Sequence, residues 1–524
     1  MSIFYDRSFA PYVVPAGIPT DRDMVPDLRW FGGMLQGQVR AALAARVLRL
    51  STSVPAPLRS PRVMRRLDGL LGRVSDRPEG QLPPEGDSEF AYRRVAGVNP
   101  LTLARVEGLD DLHPKLRLSD AQLSKLLGSN QSLAERLGAG DLYQLDLSSL
   151  RTPKGTDLQA GKFVAASVGL FCHAPGVDSR FPLVPLAIEC AAGAADGDTT
   201  VVTPLDGERW AAAKHILNAA DINYSELCLH LARAHLMTSP FAIALHRNLS
   251  KGHPIYQFLL PHLRFELFVE KMAWEQGIKK TTGILVSSLA GTADWSQEVA
   301  KTLHQRFSFR EQNFHQDLRA RGMDETPFAY PYRDDGRLLW GALERFVRAY
   351  VELSYPSEDQ LHGDKELAAF LAEVASPNGG NVRGLFAGRH LAEREELIEI
   401  LTQLLFVAGP LHALFHYGSS IELRDLDHNP SFLLGNPLVV GNKALPGLEA
   451  IEQYTRAVST HMQYGRLGDF SGYPIDARPE CAALLRCFAA ELEEIERRIE
   501  QRNVERFAPF VHFLPSRVSN GITV

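Results

Sequence analysis

Trp210 to Arg264 reads WAAAKHILNAADINYSELCLHLARAHLMTSPFAIALHRNLSKGHPIYQFLLPHLR. Six of the 17 histidines fall here: His215, His230, His235, His246, His253 and His262. Their neighbours are apolar, which scattered surface histidines do not require. Neutral imidazole is the commonest protein metal ligand, and a shared metal would explain such clustering. Five residues of regular α-helix turn about 500°, leaving His230 and His235 roughly 140° apart. A regular helix therefore puts them on different faces, one buried and one wet. A π-type bulge brings both onto one face, and such bulges favour functional sites. Far downstream, in LLFVAGPLHALFHYG, His412 and His416 are four apart and neighbours on one helix face.

The surrounding composition is that of a large globular protein. An apolar fraction of 45% supports a sizeable core, and a net charge of -6 makes no case for nucleic acid. Cys172, Cys190, Cys228, Cys481 and Cys487 are few, odd in number and without CxxC spacing. That fits reduced thiols in a cytoplasm, so a cytoplasmic location is expected. MSIFYDRSFAPYVVP lacks the basic and apolar regions of a secretory signal. No uncharged apolar run of about 18 residues predicts a spanning helix.

Residues 30–50 follow helical spacing through Phe31, Met34, Leu35, Val39, Leu43, Val47 and Leu50, with Arg40, Arg46 and Arg49 beside them. Such a basic amphipathic helix either lies on a membrane surface or covers the protein's own core. The basic bias continues over 61–73, and 75–89 reads as a linker. A helix over Ser88–Ala96 ends at Gly97, in the manner of a glycine cap, and Ser119 caps a short helix ending near Gly128. LYQLDL, FVAASVGLF, PLVPLAIE and TVVTP, between Asp141 and Pro204, predict a small sheet. Beyond 205 the chain is nearly all helix, with candidates at 207–220, 222–248, 254–276, 336–353, 391–416, 446–464 and 478–501. Residues 356–390 and 417–445 are expected to be loop-rich. The uncharged ending PSRVSNGITV looks fit for burial.

The histidine-rich run resembles the metal-binding core of lipoxygenases. Their signature has two histidines five apart, then H-P-I/V-Y/F-x-x-L-x-P-H-x-R. Here that is His230 and His235, His253-Pro254-Ile255-Tyr256, and Leu259-Leu260-Pro261-His262-Leu263-Arg264. Trp210, Ala213 and Lys214 match an upstream W-x-x-A-K element, and Pro410-Leu411-His412-Ala413 is similar to the family's downstream helix. Gly97-Val98-Asn99-Pro100 resembles an element near the start of the catalytic region. The resemblance covers roughly 85–524. It implies a mainly α fold, a helical bundle around a long metal-bearing helix with a small β subregion. Residues 1–84 are then an N-terminal extension with a lid-like helix, and the N-terminal β-sandwich of many relatives has no room.

Carried over residue by residue, the resemblance implies metal ligands at His230, His235, His412 and His416, with the Val524 carboxylate as the fifth. Val524 departs from the usual isoleucine but keeps the carboxylate. Imidazoles with a carboxylate and no thiolate suit Fe or Mn; redox chemistry favours non-haem iron, one per chain, with manganese the alternative. The implied activity is a dioxygenase acting with O2 on polyunsaturated fatty acids of the linoleate or arachidonate type. A hydrogen atom leaves a bisallylic carbon, O2 adds from the opposite face, and a conjugated hydroperoxide results. No side chain is assigned a catalytic role of its own. A monomer with possible peripheral membrane contact is implied.

Ala273 matches the family's stereocontrol position, where alanine accompanies S products. Gly277 stands where relatives have a leucine that presses on the pentadiene, so a packing wall is expected to be missing. Glu226 and Ser419 replace two glutamines around the metal ligands, which alters the usual amide network. Ser225 stands where relatives often have a further histidine. His253 and His262 are expected to hold hydrogen bonds rather than metal, and His215 and His246 to be partly exposed. Gly277 and the altered amides keep a second reading open, a hydroperoxide isomerase or lyase on the same fold. A third is a catalytically inactive lipid-binding protein. A zinc hydrolase would need a motif such as H-E-x-x-H, which is absent.

Overall fold

The computed structural model describes residues 28–53, 86–150, 153–177, 180–192, 198–281, 283, 285–388, 390–423, 429–441 and 463–523. The stretches 1–27 and 61–73, the loop as far as 85, the expected helix at 446–464 up to residue 462, and Val524 lie outside them.

Helix α1 (Leu28–Ser53) is followed by α2 (Asp87–Ala96). A five-stranded antiparallel meander then runs through β1 (Leu103–Arg105), β2 (Leu142–Asp146), β3 (Val168–His173), β4 (Leu183–Ala191) and β5 (Thr199–Val202) in sequence order. Only the second half of FVAASVGLF is strand. Ser119 caps its helix by accepting from the Gln122 N–H at 3.3 Å, and Gly128 closes that helix with φ of 64°. Gly97 ends α2 differently. Its φ is -86°, and what it needs is space: a Cβ there would lie 2.6 Å from Glu422 Oε1 and from the Arg93 carbonyl.

The centre is one unbroken helix, α3: Glu208–Tyr224 in α geometry, Ser225–His235 in π geometry, and Leu236–Asn248 in α geometry again. The break expected near residue 221 does not exist. Asp221 is a poor interior residue by propensity, but it is paired in full burial with Arg94 of α2 and accepts from Asn99 Nδ2 at 2.5 Å. After α3 come α4 (Pro254–Leu263) and α5 (Glu266–Ala273, continued by a π turn Trp274–Ile278). The single helix expected over 254–276 is therefore divided. At Phe265 the backbone turns to φ -99°, ψ -4°, which seats its buried ring against Trp30 and Ile522.

The remaining long elements are α6 (Ala293–Arg306), α7 (Pro331–Ser354), α8 (Lys365–Ala375), α9 (Arg394–Phe406, a π turn Val407–Leu411, then His412–Glu422) and α10 (Ala482–Glu505). Helix α8 lies in the stretch expected to be loop; its apolar face, Leu367, Phe370, Leu371 and Val374, packs into the core. In α9, Pro410 cannot donate to residue 406, and the ladder widens there into the π turn. By length and composition Arg394–Glu422 could cross a membrane, which the sequence reading did not anticipate, but 94% of its most apolar window is buried inside the protein.

Helix α2 ties α3 to α9. Arg94 pairs with Asp221 of α3, and Arg93 donates to Glu422 of α9 at 2.5 Å. The loop after α2 follows the same route: the Val98 N–H donates to Glu422 Oε1 at 3.1 Å, and the Ser225 hydroxyl donates to the Val98 carbonyl at 3.1 Å. Both histidine-bearing helices are thus held in fixed register.

Helix α1 departs from expectation. Trp30 is its anchor, 1% exposed and packed among Phe265, Val269 and Ile522. The expected inner face points outward instead: Phe31, Leu35, Val39 and Leu43 are 38%, 62%, 51% and 49% exposed. The stripe at 31, 35, 39 and 43 runs from about 100° to about 220° around the helix from Trp30, so it turns away from the side that faces α5.

Candidate metal centre

His230, His235 and His412 meet with their Nε2 atoms inward. His235 Nε2 lies 3.1 Å from His230 Nε2, which lies 3.3 Å from His412 Nε2. The π geometry of Ser225–His235 makes this possible: it widens the turn, so a spacing of five returns to the same face. The two rings sit 4.8 Å apart instead of on opposite sides of the helix. His416, one turn after His412, has its ring 5.4 Å from both His412 and His230. Val524 lies outside the described residues.

The hydrogen bonds assign the tautomers. His235 Nδ1 is 2.8 Å from Glu270 Oε1, and His230 Nδ1 is 3.3 Å from Glu226 Oε2. A carboxylate only accepts, so each Nδ1 carries the proton and each Nε2 presents a lone pair. Burial keeps His235 and His412 neutral. It pushes His235 down to about 4, and it pushes His412 well below its ordinary value, reinforced by the neighbouring His235, His230 and His416. Lone pairs facing one another at 3.1–3.3 Å repel unless a cation lies between them. Metal–nitrogen bonds of about 2.1 Å at right angles place adjacent nitrogens roughly 3 Å apart. The donor set therefore fits one hard or borderline metal.

Glu270 escaped the sequence reading, as did Glu266. Both are buried on α5, four apart in an otherwise apolar run, and that spacing was the available signal. Glu266 accepts from Thr238 Oγ1 at 2.5 Å and from Ser239 Oγ at 3.3 Å. Burial pushes both carboxyls up, and Glu270 adds to the effect on Glu266. A metal on His235 acts the other way, since nearby positive charge favours the ionised carboxylate. Ser419 is buried one turn beyond His416, and its hydroxyl has no partner among the described residues. No bond joins it to Glu226, in keeping with the expectation that the usual amide network is altered here.

The two further motif histidines hold structural hydrogen bonds. His253 caps α4, accepting from the Ile255 N–H at 3.1 Å while its Nε2 meets Asp364 at 2.8 Å. His262 Nδ1 donates to the Asn520 carbonyl at 2.7 Å. His215 and His246 are half-buried. Through His262 the C-terminal tail is tied to α4. The Leu467 N–H donates to the Val518 carbonyl at 2.7 Å, the Gly468 N–H to Asn520 Oδ1 at 2.8 Å, and Trp30 Nε1 to the Thr523 carbonyl at 2.6 Å. Val518, Ile522 and Thr523 are buried, as the uncharged ending suggested. The role of α1 is therefore to clamp this tail rather than to be held by Leu35 and Val39.

Beside the histidines lies a cavity of about 50 Å³, lined by Leu227, Leu231, Ala273, Ile278, Leu285, Val286 and Leu289 with Glu226 and Glu270. Ala273 faces it, and among the described residues none of α1 lines it. The wall expected to be missing at Gly277 is not missing. A Cβ on Gly277 would lie 2.8 Å from Leu285 Cδ1 and 2.9 Å from Leu285 Cγ, so Leu285 fills that space from the following loop.

Comparison with known proteins agrees with this arrangement. The family description "Lipoxygenase" matches residues 84–421. The chain is 32% identical over 464 residues to a linoleate 9/13-lipoxygenase of Pseudomonas aeruginosa, an alignment covering 82% of this chain and 66% of that protein. Among solved structures it superposes with a TM-score of 0.82, at 23% identity, on a lipoxygenase variant in complex with arachidonate, covering 96% of this chain and 76% of that one. A manganese lipoxygenase gives 0.79 at 22% identity, covering 96% and 91%. The chain belongs to the lipoxygenase family. It spans just under two thirds of the length of the bacterial relative.

Proposed function

We propose that this protein is a fatty-acid dioxygenase, inserting O2 into polyunsaturated chains of the linoleate or arachidonate type to give S-configured conjugated hydroperoxides. The observation that carries the reading is the convergence of three imidazole Nε2 atoms beside an apolar cavity with Ala273 on its wall. The names of relatives support the substrate class: one is a linoleate lipoxygenase, and another was solved with arachidonate. His230, His235 and His412 bind the metal, His416 and the Val524 carboxylate complete the set, and the metal is iron. Manganese is the second reading, favoured by the manganese-containing relative. When bound, the metal supplies the one-electron oxidation that carries a hydrogen atom off a bisallylic carbon. The chain's own residues do the rest. Glu270 and Glu226 hold the Nδ1 protons and aim the Nε2 lone pairs. Leu231, Ile278 and Leu289 keep water from the pentadienyl radical. The methyl of Ala273 limits where O2 approaches. In balance, one C–H bond is lost and one C–O–O–H group forms.

The test is O2 uptake by purified protein with linoleate and arachidonate, followed by chiral separation of the products and metal analysis. Mainly S product and about one iron per chain are expected. Ala273→Gly removes the methyl that occupies the cavity wall, and the R share should rise severalfold. Mostly R product from the unaltered enzyme would reject the assignment of Ala273. O2-independent consumption of hydroperoxides, without O2 uptake, would favour an isomerase or lyase.

A lipid surface is the proposed delivery route, and the outward stripe of α1 supports it. Because Leu35 and Val39 are exposed, Leu35→Asp with Val39→Asp should change stability by no more than about 0.5 kcal/mol each. Binding to anionic liposomes should nevertheless weaken, since that stripe is an exposed apolar face of α1 able to enter a headgroup layer. Unchanged liposome flotation would end the idea.

A further inference from the structure

We propose that Leu285 is the residue that sets the position of the reacting pentadiene, and that Gly277 and Gly283 are glycines so that Leu285 can stand there. The inference rests on the fatty-acid reading above and deepens it. Three observations carry it. First, Leu285 lies directly over Gly277, with Cδ1, Cγ and Cβ at 2.8, 2.9 and 3.5 Å from where a Cβ would be. Second, the loop reaches that point only because Gly283 backs onto Gly277: a Cβ on Gly283 would lie 2.4 Å from the Gly277 carbonyl oxygen. Third, Leu285 lines the same cavity as His230, His235 and Ala273 and packs against the apolar cluster that contains Leu231, one residue from a candidate ligand.

The segment behind Leu285 is fixed. Gln159 Nε2 donates to the carbonyls of Val286, Leu289 and Gly291 at 2.8, 3.0 and 2.7 Å. A short 3-10 turn, Val286–Ser288, follows directly. Leu285 is thus a half-buried side chain at the leading edge of an anchored turn. A cavity of about 50 Å³ is far below the roughly 300–1,000 Å³ of sites that enclose drug-sized ligands. A long acyl chain enters only if a lining side chain turns away; of the half-buried lining residues His230, Ala273 and Leu285, only Leu285 is an apolar side chain with rotamers to change. Its isobutyl group then bears on the chain where the cavity meets the histidines. The contact a helix-borne side chain at 277 would make comes instead from the side chain of Leu285, which is free to change rotamer on its anchored backbone.

Four proteins test this: wild type, Leu285→Ala, Gly277→Ala and the double variant Gly277→Ala/Leu285→Ala. The readouts are the ratio of positional isomers from linoleate, the affinity for oleate, metal content and melting temperature. Oleate has one double bond and no bisallylic carbon, so it binds without reacting. Leu285→Ala should shift the isomer ratio by roughly tenfold or more, as expected when several methylene contacts are lost, with metal content unchanged. Gly277→Ala drives Leu285 into the cavity and should weaken oleate binding. Removing Leu285 in the same protein should restore it, a coupling that independent sites do not show. An unchanged isomer ratio in an active Leu285→Ala overturns the proposal. So does loss of oleate affinity in Gly277→Ala that the double variant fails to rescue. If wild type takes up no O2 with either fatty acid, the dioxygenase reading fails by itself, and the oleate rescue still decides whether Leu285 shapes the site.

Discussion

Replacing His235 with alanine is expected to strip the protein of its metal and abolish O2 uptake while leaving the helices in place. The ring is engaged at both ends. Its Nε2 sits 3.1 Å from His230 Nε2, and its Nδ1 is held at 2.8 Å by Glu270. Losing it removes a donor from the converging set and leaves the Glu266–Glu270 pair buried beside a void. A buried polar group left without its partner costs about 1–3 kcal/mol, so the melting temperature should fall without collapse of the fold. Partners standing behind a ligand typically matter 10–100-fold in metal affinity, and losing the ligand itself should exceed that. Glu270→Gln provides the graded comparison: its amide can still accept from Nδ1 but lacks the charge, so it should weaken metal binding within that range. His235→Ala with a full complement of metal would remove His235 from the ligand set, and with it the explanation offered for the π segment.

That segment marks how far the sequence could be read. The spacing of His230 and His235 posed two alternatives, and a shared metal required a distorted helix; the π geometry of Ser225–His235 is that distortion. The lipoxygenase signature then located the catalytic fold, because its histidines lie close together in the chain. Features set by distant partners were not legible. Asp221 looked like a helix boundary because Arg94, which neutralises it, comes from 127 residues earlier. Leu285 could not be matched to Gly277, since only folding brings the loop back over the π turn. Phe31, Leu35, Val39 and Leu43 made a regular stripe, and periodicity cannot tell an inward stripe from an outward one. What decides it is the burial of Trp30, whose indole reaches a carbonyl 493 residues away.

The same indole bears on the second large effect, expected of Gly521→Ala. The C-terminal tail passes so close to α4 that a Cβ at 521 would lie 1.9 Å from the His262 carbonyl oxygen and 2.5 Å from its carbon. These are backbone atoms of a packed helix and cannot turn aside as a side-chain tip can. Overpacking usually costs about 1–3 kcal/mol when neighbours can shift, and here the part able to shift is the tail. Its displacement would break the Asn520 and Thr523 contacts with His262 and Trp30 and move the terminal carboxylate proposed as the fifth ligand. Metal affinity should drop by at least the 10–100-fold associated with lost ligand support, and O2 uptake should drop with it. Trp30→Phe, which keeps an aromatic ring in the same pocket but deletes the donor to Thr523, should give a milder version, worth about 1 kcal/mol. Deleting Val524 alone moves the carboxylate back by one residue without disturbing Gly521, and it separates the two causes. If the deletion abolishes metal binding and Gly521→Ala weakens it, the tail works by placing a ligand. Wild-type metal content in both variants would mean that the histidines hold the metal unaided and that the tail only fills the core.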